Sequence, residues 1–328
     1  MASMRLSLPV FAALCLAGSG AGAASPLDAP AAMRNLSPLY ANLSVPVMVD
    51  ARVPEPGAWE IDWQFSWASH ALREQAAAAT LELDGETRRH DLSLRWTPLP
   101  RLRLQANLPW ITHSGGDLDG LIDDWHAFWG MPDGPRASQP DNRLLFAYTA
   151  PQGFGLETGD SGIGDAEVSA DWLALSGHGL ALSLTASLRL DTGDAATFTG
   201  AGEAGAAFGV RATQTACLWA QLTCHGQLGV TFNEVSPANA ARRDSVPYYG
   251  VSLVLALTQD LALLAQLEGQ GEVYTQAPLD AGGAPVWGGL GLRWQASRRW
   301  QLEALFIEDL AVGSAPDITF RAGLRRAF

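Results

Sequence analysis

Lysine is absent: all 21 basic residues of the 328-residue chain are arginine. Chemistry that needs a lysine nucleophile or Schiff base is therefore excluded. Positive charge is scarce as well, 21 basic against 34 acidic residues for a net charge of -13, which argues against a nucleic-acid partner. Charged residues make up only 17%, against about 25% in an ordinary soluble domain. Beyond the first two dozen residues no run of 18 apolar residues occurs, so no transmembrane helix is expected. Cysteine is limited to three. What the chain does have is apolar residues (48%) and 12 Trp, which argues against disorder.

The N-terminus reads as a processing signal. Arg5 precedes the short apolar run Leu6–Ala17, and Ala21-Gly22-Ala23 fits an A-x-A cleavage site. Residues 1–23 are expected to be a secretory signal peptide; a lipoprotein anchored at Cys15 is the rival, with Leu14 ill-suited before it. Cys217 and Cys224 then remain, with six residues between them, in an oxidising compartment. A local disulfide is one reading and two separate thiols on neighbouring strands the other. A zinc site is discounted, because His225 is the one further ligand nearby.

After residue 58 the chain alternates. Trp59, Ile61, Trp63, Phe65 and Trp67 interleave with Glu60, Asp62, Gln64 and Ser66; Leu102, Leu104, Ala106, Leu108 and Trp110 interleave with Arg101, Arg103, Gln105 and Asn107. Similar patterns run through 163–172, 180–190 and 261–272. Period two places apolar side chains on one sheet face and polar ones on the other. A soluble sandwich would do the same, but three features favour a membrane barrel. Strands approach the ~9–11 residues a tilted membrane strand needs. Short links (97–101, 176–179, 258–261, 296–299) alternate with long ones (113–162, 191–202, 233–245, 274–284), as when one barrel end faces the periplasm and the other the exterior. Trp59, Trp96, Trp110, Trp172, Trp294 and Trp300 fall near strand ends on the apolar side, where an interfacial girdle would lie.

The expected fold is all-β: a transmembrane antiparallel up-and-down β-barrel of about twelve strands over 59–328, with a short helix in a long extracellular loop, 113–162. Fourteen strands is the alternative, because Asp84-Gly85-Glu86 interrupts one long segment and 142–149 could pair. The Pro-rich stretch 24–58 is unsuited to a strand, and either threads the lumen as a plug or forms a periplasmic tail. The chain ends FRAGLRRAF. Gly323 and the terminal aromatic Phe328, with Phe320 and Leu324 on its face, resemble the C-terminal recognition strand of outer-membrane proteins, which implies the barrel-assembly machinery as a partner. Arg326 departs from that pattern, at a cost of about 0–1 kcal/mol near the interface.

In 113–136 Leu118, Leu121, Ile122, Trp125 and Phe128 recur at helical spacing, predicting an amphipathic helix over 117–130 with Asp117 as N-cap. It would cap the mouth, lie in the outer leaflet or belong to a gate. Asp117, Asp119, Asp123, Asp124 and His126 read as a solvated acidic face, with a calcium ion or cation-bridged lipid phosphates as the sharper alternative. The run DLDGLIDDWHAFWGMPDGPR, the following GDSGIGDAEVS (159–169) and the early RNLSPLY (34–40) together resemble the DUF3187 family of proteobacterial outer-membrane proteins. The GxGD element at Gly162–Asp165 also occurs in barrels of the phenol-degradation type. The resemblance implies a barrel in the outer membrane and carries no activity, substrate or catalytic residue.

Function is read from the inward faces. Candidate lumen-lining residues are Arg95, Arg103, Asp165, Glu167, Asp171, Arg189, Arg211, Glu268, Glu272, Arg293 and Arg321. Inward charge must be paired or hydrated, which favours a wet narrow pore or a salt-bridged plug. The expectation is a monomeric passive channel or small-solute transporter, embedded in outer-membrane lipid and lipopolysaccharide, without cofactor, metal or nucleic acid. A structural or surface-interaction barrel with a blocked lumen is the alternative. An outer-membrane hydrolase is the weakest reading: there is no G-x-S-x-G, and only His113 with Ser114 or His126 with Asp123 could begin a triad.

Overall fold

In the computed structural model, the described residues are 27–328 apart from 42, 77–78, 131–138, 150–153, 235–241, 275–282 and 312. The signal-peptide expectation at 1–23 lies outside them. The strands are β1 (Trp59–Ala76), β2 (Ala79–Leu99), β3 (Leu102–Ser114), β4 (Leu145–Thr149), β5 (Phe154–Leu156), β6 (Asp160–Ile163), β7 (Glu167–Gly177), β8 (Leu180–Arg189), β9 (Gly205–Gln214), β10 (Leu222–Asn233), β11 (Ser245–Ala256), β12 (Leu261–Gln270), β13 (Val286–Gln295), β14 (Trp300–Asp309) and β15 (Ile318–Ala327). One helix, α1, spans Asp119–Trp129.

Twelve of these strands close a ring. β1, β2, β3 and then β7 to β15 pair in order, and β15 returns to β1 in the antiparallel register Glu60↔Ala327 to Ser69↔Ile318. β4 pairs with β2 over Thr80–Asp84, β5 pairs with β4, and β6 pairs with the last residues of β3. These three sit at the long-loop end and add nothing to the circumference, which is why 142–149 does not raise the count to fourteen. Nor does Asp84-Gly85-Glu86 split β2. Gly85 passes through at φ +132°, and a side chain there would meet Leu144 Cδ1 at 2.8 Å and the Ser114 carbonyl at 2.9 Å.

The faces are inverted relative to a soluble protein. On β2, Asp91, Ser93 and Arg95 are buried while Leu92, Leu94 and Trp96 are exposed. Leu228 is 65% exposed and Arg293 is 0% exposed. Soluble folds seldom bury arginine and leave a ring of leucine in water; a closed sheet in hydrocarbon requires both, since lipid solvates the apolar side and the closed ladder satisfies the backbone. Aromatic rims bound the band. At the short-turn end Trp59 stacks on Trp96 at 5.1 Å, and Trp172, Trp294 and Trp300 are exposed near it. Toward the other end lie Trp67 and Trp110, Phe208 against Phe232 at 6.2 Å, and Phe306 against Phe320 at 5.7 Å. Trp59 to Trp67 along β1 is ~26 Å, or ~20 Å along the normal at ~40° tilt, close to the height of an outer-membrane apolar band.

Phe328 follows β15, its N–H donating to the Trp59 carbonyl at 2.9 Å, so the terminal residue secures the closing seam. Gly323 pairs with Gln64 and Glu303 across that seam. Arg326 lies 5.0 Å over Trp300 and 4.6 Å over Phe328, which accommodates it at the rim. Cys217 and Cys224 are disulfide-bonded across the β9–β10 turn. A charge placed mid-band should be far less tolerable than Arg326. Val251→Arg, at an exposed position in the middle of β11, is expected to cost ~2–4 kcal/mol, read from urea unfolding in liposomes.

Candidate functional site

The lumen is filled by the chain's own residues 27–52. Pro30, Pro38 and Pro46 deny this stretch a ladder, so its main-chain groups need partners from the wall. They receive them chiefly from arginine. The first limb runs from the short-turn end along β12 to β14. Arg293 donates to the carbonyls of Leu27 (3.0 Å), Ala29 and Pro30 (3.1 Å). Gln266 both accepts from Ala31 N–H (2.9 Å) and donates to its carbonyl (2.8 Å). Asn35 Nδ2 reaches the Ser314 carbonyl at 2.8 Å. A turn at 37–43 reverses direction, with Tyr40 N–H donating to the Ser37 carbonyl at 2.9 Å. The second limb descends the facing wall. Arg189 Nε donates to Ser44 Oγ (3.0 Å), Arg211 to the Val47 carbonyl (2.8 Å) and Arg103 to the Asp50 carbonyl (2.7 Å). At the bottom the limbs are tied together by Arg52 and Asp28 at 2.8 Å. Burial alone would raise the Asp28 carboxyl; Arg52 and the Thr223 hydroxyl, which donates to it at 2.7 Å, outweigh that and hold it below the usual carboxylate value.

The mouth at the long-loop end closes over apolar contacts. Leu39, Tyr40 and Leu43 from the turn pack with Leu81 and Leu83 of β2, Phe146 of β4, Val246 of β11 and Val273. β2 and β11 stand half-way round the ring from each other, so the overlong β1–β2 hairpin leans across the opening. At the opposite end a cavity of about 80 Å³ remains between the two limbs, lined by Ala29, Ala32, Met48, Val49, Arg52 and Arg103 among others.

The wall carries its own charge balance. Asp171, fully buried, lies between Arg103 (2.9 Å) and Arg211. Glu303 lies between Arg293 and Arg321 (2.7 Å). Asp62 is shared by Arg95 (3.2 Å) and Arg325 (3.3 Å), with Glu60 beside it. Asp165 pairs with Arg189 and also accepts the N–H groups of Thr192, Gly193 and Ala201, which shapes the 190–201 loop. Glu167 binds Arg34 of the first limb at 2.7 Å. Glu268 accepts from Gln266.

Of the residues singled out from sequence, Arg95, Arg103, Asp165, Glu167, Asp171, Arg189, Arg211, Glu268, Arg293 and Arg321 face the lumen. Glu272 does not. β12 ends at Gln270, the alternation ends with it, and Glu272 is exposed beside Arg243 at 3.0 Å. Asp62, Asp91, Glu303, Arg89 and Arg325 escaped the sequence reading as wall charges, although the parity of their strands marks them: Asp62 lies two residues from Gln64, and Glu303 two from Gln301.

Helix α1 begins two residues later than expected. Asp117 pairs with Arg88, and the buried Glu86 carboxylate takes the Leu118 N–H at the helix start instead. Leu118 and Ile122 are buried, but Leu121 and Phe128 are exposed, against the expectation of one apolar face. Asp119 is buried and accepts from Asn142 N–H at 2.8 Å, so it does not belong to a solvated acidic face; Asp124 is exposed and Asp123 half-buried. The side chains of Trp125 and His126 lie outside the described residues. His113 makes no triad with Ser114: its Nδ1 meets Thr87 Oγ1 at 3.0 Å and its Nε2 the Phe198 carbonyl at 3.3 Å.

The fold is that of outer-membrane β-barrels. The COG4313 outer membrane channel from Pseudomonas putida F1 superposes with a TM-score of 0.54 at 14% identity, covering 85% of this chain and 98% of its own. The KdgM porin (TM-score 0.44, 10% identity, 82% of this chain and 99% of that one) and the NanC porin (0.47, 7%, 82% and 98%) are also similar. No curated protein matches by sequence. Residues 12–328 match the family described as Protein of unknown function (DUF3187), and the chain belongs to that family.

Proposed function

We propose that the protein is an outer-membrane channel for small solutes, held shut by its own N-terminal segment. In this reading the short turns face the periplasm and the aromatic rims meet the two lipid interfaces. One observation carries it. The arginines that grip the segment are also paired to wall carboxylates: Arg103 and Arg211 share Asp171, Arg293 pairs with Glu303 and Arg189 with Asp165. The segment takes only their spare N–H groups. Its departure would leave these guanidiniums still paired to carboxylates and open to water, beside an apolar stripe of Val254, Leu264, Trp287, Leu305 and Ile307 that Ala31 and Met33 now cover. A barrel built only for rigidity has no need of such a wall, since smaller barrels fill with side chains. Among the described residues His113 lacks the carboxylate that orients a triad base: its Nδ1 meets Thr87 Oγ1 and its Nε2 the Phe198 carbonyl.

The exposed Leu121 and Phe128 on α1 favour a second reading, a surface-interaction barrel whose lumen never opens. Planar-bilayer recording of the mature chain separates the two. The channel reading expects brief, infrequent openings above a closed baseline. Silence under all voltages, together with no flux into proteoliposomes, would favour the blocked barrel.

A further inference from the structure

Arg211 on β9, Gln227 on β10, Gly250 on β11 and Glu268 on β12 are successive cross-strand partners, forming one transverse row on the inner wall. Gly250 leaves a notch in it. Met48 of the second limb fills the notch, its Cε 2.6 Å from where a Gly250 side chain would begin. Around this notch lie buried polar atoms without hydrogen-bond partners: both amide atoms of Gln227, Nε of Arg211, Oη of Tyr248 and Oγ of Ser252. Tyr248 and Ser252 are the inward neighbours of Gly250 on its own strand. All four residues are at most 6% exposed. Native proteins leave few such atoms, and a patch of them calls for a cause. The segment covering them offers the Val47 carbonyl to Arg211 at 2.8 Å and otherwise a thioether. Its chemistry does not match what it covers.

We infer that this patch is the channel's solute-binding site, and that it takes small hydroxylated monocarboxylates. Arg211 shares Asp171 with Arg103, so the cluster retains one unmatched positive charge. A solute carboxylate oxygen takes the place of the Val47 carbonyl on Arg211, as a stronger, charge-assisted acceptor. The Gln227 amide and the two hydroxyls both donate and accept, which suits solute hydroxyl groups. Tyr248 sits against Gly209 and Gly229, where any larger residue would collide with its ring, and it offers an apolar face to the solute's C–H edge. Glu268 closes the row, and the one unmatched positive charge suits a single carboxylate.

The inference rests on the channel reading, and the test separates their failures. The full mature chain is placed in liposomes, and entry of gluconate, glucose, acetate and citrate is compared. Gluconate is expected to enter on the order of tenfold faster than glucose or citrate, and faster than acetate. Gln227→Leu should bring the gluconate-to-glucose ratio near one without lowering the unfolding midpoint, because it removes atoms that had no partner. Arg211→Gln should lower gluconate entry selectively. Equal entry of gluconate and glucose, or a gluconate preference that survives both substitutions, overturns the site and leaves the channel. No entry of any solute overturns the channel and the site with it.

Discussion

Deleting residues 27–52 should raise single-channel conductance on the order of tenfold or more over the undeleted protein, because a twelve-strand lumen is wider than the side-chain-filled eight-strand case. The ring should still form. Its closure rests on β1 pairing with β15 and on the outward apolar band, neither of which includes the deleted segment. The wall keeps its Arg103–Asp171–Arg211 and Arg293–Glu303–Arg321 units. Glu167 alone among the named wall acids loses its pair partner, Arg34. The deletion also removes Leu39, Tyr40 and Leu43, the centre of the apolar cluster beneath the β1–β2 hairpin, so the mouth loosens along with the shaft. The measurement is conductance in planar bilayers. A deletion variant that folds, as judged by heat-modifiable migration, yet conducts no better than the full chain would mean that loops and hairpin close the barrel without the segment.

The second large effect is on stability. Asp171 is fully buried and neutralises two guanidiniums, Arg103 at 2.9 Å and Arg211. Asp171→Asn keeps the shape and removes the charge. Two buried arginines then face each other uncompensated, at a cost of about 3–5 kcal/mol. The same arginines hold the Val47 and Asp50 carbonyls, so the second limb should loosen and openings become more frequent. Adding Arg103→Gln to Asp171→Asn restores the original charge balance, and the double variant should recover part of the loss. Urea unfolding followed by tryptophan fluorescence reads both. A single-variant cost below about 1 kcal/mol would mean that water already screens this pair.

The barrel was legible in the sequence because its rule is local. Side-chain direction alternates residue by residue, so Trp59 to Trp67 declare their outward face without reference to any distant strand. Parity also identifies most of the wall, and it failed at Glu272, where β12 had already ended. The path of residues 27–52 was not legible. An irregular segment has no period, and its partners lie far off in the chain: Arg293 binds Leu27 across 266 residues. Proline content excluded a strand there but could not choose between tail and plug. Helix α1 was legible as a helix and misread in its faces. A loop helix contacts whatever the loop folds against, here Glu86 and Asn142, and spacing alone does not say which side that is.

If the first limb and its return close this lumen reversibly, fixing the return in place must hold it shut. A cross-link tests it most directly. Ser44 Cβ lies 3.1 Å from where a side chain on Gly205 would begin, so a shift of about half an ångström brings the pair to the ~3.5–4.5 Å a disulfide spans. Ser44→Cys with Gly205→Cys should therefore lock the second limb to β9 when oxidised. The channel should be silent while the lock is closed and open after reduction at least as often as the wild type, since the reduced variant lacks the Arg189–Ser44 hydrogen bond, with reductant leaving the wild type unchanged. Equal conductance in the oxidised and reduced states would contradict it.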